Sequence, residues 1–132
     1  MALKITLKPS ERIIIGGAVV RNGDSRTDLF VENKVALLRE KDIMGEGEAD
    51  SLAKKVYFTI QLMYIDQENL VQHHSTYWDI VQKILKAAPS ALGLIDQISE
   101  KLIGSQYYLA LKLSRKLIAF EQEIIDRVQK RS

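Results

Sequence analysis

Residues 37–64 read LLREKDIMGEGEADSLAKKVYFTIQLMY, and the chain changes its hydrophobic period inside that stretch. Before Gly45-Glu46-Gly47 the apolar residues come in short runs suited to strands. After it they recur at three-four spacing, with Leu52, Val56, Ile60 and Met63 on one face, Tyr57 and Tyr64 alongside, and Asp50 or Ser51 placed to cap a helix. A period of two and a period of 3.6 belong to different elements. The switch therefore predicts an α+β chain, with a small N-terminal five-stranded β unit over residues 1–47 and a C-terminal bundle of about four helices over 48–132.

Towards the N-terminus, Ala2–Lys8 alternates, with Leu3, Ile5 and Leu7 opposed to Lys4, Thr6 and Lys8. Pro9-Ser10 makes a turn, and Arg12–Ile15 is a second strand ending at Gly16-Gly17. Ala18–Arg21 leads into Asn22-Gly23, a strong hairpin signal. Thr27–Glu32 alternates again, with Leu29 and Val31 on one side, and Val35–Arg39 closes a meander or small barrel. A unit this short seldom holds together on its own core, so it should pack on the helices or share strands with a second copy.

Towards the C-terminus, Asp66 is expected to start a second helix whose face includes Leu70, Tyr77, Trp78, Val81 and Ile84, stopped by Pro89. Ser90 is read as the cap of a third, with Leu94, Ile95, Ile98 and Leu102 inward and Gly104 past its end. Ser105 then opens the longest, whose stripe runs Ala110, Leu113, Leu117, Phe120, Ile124 and Val128.

Composition limits what the chain can do. Its 132 residues are 46% hydrophobic and 27% charged with a net charge of +2, a globular balance and too small a surplus to argue for nucleic acid or membrane from bulk charge. There is no cysteine, hence no disulfide, thiolate metal site or cysteine nucleophile. Charges at Lys4, Lys8, Glu11 and Arg12 break any membrane-spanning or signal-like run near the start, so a cytoplasmic, membrane-free protein is expected.

Catalytic constellations do not assemble. His73 and His74 are adjacent and point about 100° apart on a helix, which does not suit a metal site. Gly16-Gly17 lacks the spacing of a phosphate loop, and the serines sit where caps and turns explain them. Glu46, Glu48 and Asp50 suit a helix N-terminus, and the basic run Arg127–Arg131 suits a C-terminus. The aromatics Tyr57, Phe58, Tyr64, Tyr77 and Trp78 read as core and helix interface rather than a ligand box. The reading is of a non-enzyme with no cofactor and no metal. One face stands out: Lys4, Thr6 and Lys8 project together from the first strand and Arg39 closes the last. That set suits a phosphodiester backbone, although lysine also guards exposed strand edges.

The blocks LKITLKPSERIIIGGAVVRNG (3–23), LLREKDIM (37–44), AKKVYFTIQLMY (53–64), AAPS (87–90) and SRKLIAFE (114–121) resemble the FlbT family of flagellar regulators over nearly the whole chain. The resemblance implies a cytoplasmic bacterial protein acting after transcription, a repressor that binds the 5′ untranslated leader of flagellin mRNA, limits translation and promotes decay of the message. The first 47 residues are also similar to the small RNA-binding regulator CsrA, in Leu3–Lys8, Glu11, Ile13–Gly16, Leu37–Glu40 and Ile43. That resemblance implies a CsrA-like β unit in which subunits exchange strands, with Thr6, Lys8 and Arg39 facing RNA and Leu7 standing where one basic residue is expected. Strand exchange would bring Lys8 and Arg39 from different copies into one groove. The implied partners are the flagellin mRNA leader, a second copy in a homodimer or larger oligomer, and other flagellar regulatory proteins. The competing reading is an adaptor that docks a protein through the tyrosine-rich helices 52–64 and 70–88 and meets RNA indirectly, which the near neutrality of the helical half favours.

Overall fold

Left-handed backbone at both central residues is what a two-residue hairpin of type I′ demands, and Gly16 and Gly17 supply it with φ of 55° and 88°. They join the strands β2 (Arg12–Ile15) and β3 (Ala18–Arg21), which pair antiparallel from Arg12↔Arg21 to Ile15↔Ala18. In the computed structural model, which describes residues 2–131, the remaining strands are β1 (Leu3–Leu7), β4 (Thr27–Val31) and β5 (Leu37–Arg39). They form two sheets, β1-β4 and β3-β2-β5, all pairs antiparallel. The order departs from a meander, because β3 and β4 do not pair.

Asn22-Gly23 explains the departure. It does not make a two-residue hairpin. Instead the Asn22 amide donates to the carbonyls of Lys8 (2.8 Å) and Ser25 (2.9 Å), its backbone N–H donates to Glu11 O, and Ser10 N–H donates to Gly23 O (2.9 Å). The side chain that signals a hairpin ties the loop after β3 to the end of β1. Alternation fills the core as expected. Ile5, Leu7 and Ile13 are buried, with Ile15, Leu29, Val31 and Leu37 packed around them.

The chain divides into two units, Met1–Ile43 and Met44–Ser132. Gly45–Gly47 lies in the second because the buried Gln61 amide holds Met44 at both backbone atoms, accepting from its N–H (2.8 Å) and donating to its carbonyl (2.9 Å).

Four helices build the second unit: α1 (Leu52–Ile65), α2 (Leu70–Ala87), α3 (Leu92–Ile103) and α4 (Tyr107–Arg131). Ser51 caps α1, its hydroxyl accepting from Lys54 N–H, and the carboxylate of Glu121 on α4 accepts from the Ser51 hydroxyl and from Ala53 N–H. A carboxylate at these orphan donors matches the positive end of the helix dipole. Ser51 beside Glu121, Arg115 over Tyr57 and Tyr64 beside Tyr108 set α1 and α4 antiparallel. Buried Tyr77 of α2 shares a 2.8 Å hydrogen bond with Ser99 of α3. Burial pushes its phenol pKa upward.

Several expected boundaries move. α2 starts at Leu70, not Asp66, since residues 66–69 carry a short 3-10 turn in which the Asp66 carboxylate accepts from Asn69. Pro89 ends α2 as expected, but the 3-10 turn Pro89–Ala91 absorbs Ser90, which gives α3 no side-chain cap. Ser105 does not open α4. It is the left-handed residue past α3, at φ 57°, with Ser105 N–H donating to Leu102 O and Gln106 N–H to Lys101 O, the paired bonds of a Schellman end. Gly104 sits at φ −81° and takes no left-handed role. Trp78 is 43% exposed and Val128 63%, so neither belongs to the core that their spacing suggests. Among the described residues, no helix is long and apolar enough to cross a membrane.

Candidate nucleic-acid interface

Because β1 alternates, burying Ile5 and Leu7 turns Lys4, Thr6 and Lys8 the other way. The structure separates that set into two environments. Thr6 stands opposite Asp28 in the β1–β4 register and donates its hydroxyl to that carboxylate at 2.8 Å, while Lys4 Nζ lies 3.7 Å from the other carboxylate oxygen. Asp28 therefore offsets the charge of Lys4. Sequence reading places Asp28 on an outward face without detecting this pairing, which follows from a register that only the folded chain defines.

Lys8 and Arg39 meet at the turn between β1 and β2. Pro9 and Ser10 occupy its centre, Glu11 N–H donates to Lys8 O at 3.1 Å, and Ser10 takes a left-handed φ of 62°. Reversal of the chain folds Glu11 back so that one carboxylate oxygen accepts from Lys8 N–H at 2.9 Å and the other from the Arg39 guanidinium at 3.2 Å. The same guanidinium donates to Thr6 O at 2.7 Å. Arg39 is thus fixed by two contacts of its own chain, and Lys8 and Arg39 of one chain line the same groove. The Lys8 N–H and the Arg39 guanidinium hold the Glu11 carboxyl below the usual carboxylate range. The side chain of Glu11 is only 11% exposed, whereas that of Arg39 is 41% exposed.

An open groove of about 440 Å³ runs over this turn, lined by Lys8, Pro9, Ser10, Glu11, Arg39, Glu40 and Lys41. Glu40 is partly engaged by the Arg12 N–H at 3.4 Å. Lys8 and Lys41 are exposed, and neither ammonium forms an ion pair among the described residues. Lys41 is the site residue that sequence reasoning missed, although the block LLREKDIM places it two positions past Arg39. The arrangement offers two exposed ammonium groups and one anchored guanidinium around a turn, which suits phosphate oxygens and pairs no nucleophile with a base among the described residues.

The other candidates take structural roles. His73 Nε2 lies 3.1 Å from the Asp66 carboxylate, whose pKa is lowered by Asn69 and then by His73, and His74 Nε2 lies 3.4 Å from the Tyr107 hydroxyl. Among the described residues no group of three or more His, Cys, Asp or Glu is placed to hold a metal ion. Tyr57 and Tyr77 are buried, while Phe58 and Tyr64 are half-buried at helix seams.

The family described as "Flagellar protein FlbT" matches residues 3–125. The chain is 43% identical over 125 residues to a probable flagellum biosynthesis repressor protein FlbT 1 of Bradyrhizobium diazoefficiens, which covers 94% of this chain and 85% of the relative. It is 37% identical over 130 residues to the flagellum biosynthesis repressor protein FlbT of Caulobacter vibrioides, covering 97% and 92%. A probable repressor of the same name from Rhodopseudomonas palustris is 34% identical over 127 residues, covering 96% and 100%. No solved structure matches.

Proposed function

Since the chain belongs to the FlbT family, we propose that it represses flagellin synthesis after transcription, by binding the 5′ untranslated leader of flagellin mRNA and promoting its decay. The relatives' names as repressors of flagellum biosynthesis support the process, and the similarity of residues 3–43 to CsrA supports RNA as the target. The observation that carries the reading is the groove in which Lys8 and Lys41 stand exposed beside an Arg39 already oriented by Glu11. Fixing the guanidinium in advance lowers the ordering cost of a phosphate contact. The lysines add charge that a moving backbone can find. Thr6 retains acceptor capacity at its oxygen for a base edge, which unstacked single-stranded RNA presents.

Filter binding of a flagellin leader transcript at several salt concentrations tests this. Lys8→Gln and Lys41→Gln should each loosen binding about threefold to tenfold, and each should flatten the dependence of log affinity on log salt by about 0.7, the contribution of one single-strand phosphate contact. Arg39→Gln is a poorer probe because it also releases Thr6 O and Glu11. Equal affinity and slope in both lysine variants would remove the groove from the account. Retention of RNA only after a second flagellar protein is added would replace direct binding with the adaptor reading, for which half-exposed Trp78 and exposed Val71 on α2 are the docking residues.

A further inference from the structure

The carboxylates of the helical unit are unevenly spread. Residues 51–65, covering α1, and residues 105–120, covering the first half of α4, contain no Asp or Glu, yet they hold Lys54, Lys55, Lys112, Arg115 and Lys116. These two stretches pack against each other antiparallel, with Tyr64 beside Tyr108 and Arg115 over Tyr57. Asp50 pairs with Lys54 at 3.2 Å, and Glu121 is committed to the α1 N-terminus. Lys112 and Lys116 are exposed and form no ion pair among the described residues.

Aromatic rings are interleaved with these cations. Tyr108 is 38% exposed, its ring centroid lies 5.8 Å from that of Tyr64, and the Lys112 ammonium sits 5.2 Å from the Tyr108 centroid. One to two turns on, the Arg115 guanidinium lies 5.8 Å from the Tyr57 ring and donates to its hydroxyl at 3.4 Å. The spacing of Tyr108, Lys112 and Arg115 keeps them on one helix face, and the stretch from Tyr108 to Lys116 extends about 12 Å along the axis. Burying the α1–α4 seam needs apolar side chains, but it does not require excluding every acid from both exposed flanks. Cations beside an accessible ring are the combination with which single-stranded nucleic acid is held without sequence readout, the rings stacking bases while the charges follow the backbone.

We infer that the α1–α4 face around Tyr108, Lys112 and Lys116 is a second contact surface for single-stranded RNA. This rests on the reading of the protein as an RNA binder and assigns the helical unit a direct part in it. The groove at Lys8, Arg39 and Lys41 would then supply one contact, and the helical face would hold a further length of the transcript by stacking and charge.

Fluorescence anisotropy of the full chain with a labelled flagellin leader transcript, across a salt series, separates the two surfaces. The double variant K112Q/K116Q should bind about tenfold more weakly and lower the salt slope by about 1.4, at two phosphates and 0.7 each. Tyr108→Ala should weaken binding about fivefold or more while Tyr108→Phe keeps it, because the ring and not the hydroxyl stacks. Unaltered circular dichroism checks that each variant folds. If K112Q/K116Q binds like the parent while K8Q/K41Q is weakened, the inference falls and the groove stands. If the parent binds no RNA, both fall. If a polyglutamate peptide binds through Lys112 and Lys116 while RNA affinity ignores them, the face is for an acidic protein and the inference is overturned.

Discussion

Glu11 shows how a single carboxylate shapes the candidate site. It accepts from Lys8 N–H and from Arg39, so it closes the β1–β2 turn and links it to β5 at one point. Its folded pKa lies below the ordinary 4.5, so the charged form is the one the fold favours. The stabilisation is present at pH above that ordinary value and is lost as pH falls through the lower folded value. Thermal melts of the parent should therefore lose stability on acidification below about pH 4.5, and Glu11→Gln should lower the melting temperature at neutral pH while shrinking that acid dependence. An acid profile unchanged by the substitution would assign the loss to other carboxylates. Little of this was legible in the residues alone. Thr6, Lys8 and Arg39 could be set on strands, but their partners Glu11 and Asp28 come from a tight turn and a cross-strand register that no spacing along the chain displays. Lys41 follows the last strand and sits in a 3-10 turn, Glu40–Asp42, that no periodicity marks.

The elements themselves were largely readable, because alternation and three-four spacing report a buried face directly. All five strands and four helices are present, and Pro89 ends α2 where its missing N–H requires. The misread positions were turns, where one residue type serves several geometries. Asn22-Gly23 suits a type I′ hairpin, yet the Asn22 amide is used to tie three segments together, while Gly16-Gly17 makes the hairpin. Ser105 reads as a helix N-cap, yet the chain needs a left-handed residue there, and the glycine falls one position early. Serine in that conformation brings its Cβ against a backbone carbonyl. Ser105→Gly should relieve the conflict and, after the greater freedom of glycine in the unfolded chain is subtracted, stabilise the protein by about 0.5–1 kcal/mol. That is a rise of about 2–5 °C in melting temperature by calorimetry. No change, or a fall, would mean that the Ser105 side chain contributes more than its backbone costs.

At the scale of the whole molecule, the N-terminal unit carries apolar residues on its surface. Leu3 is 55% exposed, Val19 69%, Val20 38% and Phe30 63%. All of β3 is exposed, and among the described residues β2 is its one sheet neighbour, so the other edge of Ala18–Arg21 has no strand partner there and lies beside two valines. A soluble chain rarely leaves such an edge open, because it templates pairing with another strand. The smallness of the unit led to the expectation that it shares strands with a second copy. Yet β1 and β5 find their partners β4 and β2 within this chain, so exchange of those strands is not needed to complete either sheet. Of the open edges, β3 is the one that carries two exposed valines, and we propose β3 of a second copy as its occupant, which would pair symmetrically and place two of the candidate grooves on one particle. Analytical ultracentrifugation should then show a dimer or larger oligomer at micromolar concentration. Val19→Lys places a charge on the edge, as natural edge strands do, and should shift the distribution to monomer while circular dichroism stays constant. The monomer should bind leader RNA with a weaker apparent affinity, since the avidity of two linked grooves is lost. A parent chain that sediments as a monomer at those concentrations would instead leave the β3 edge to a different strand, and with it the expectation of paired grooves would go.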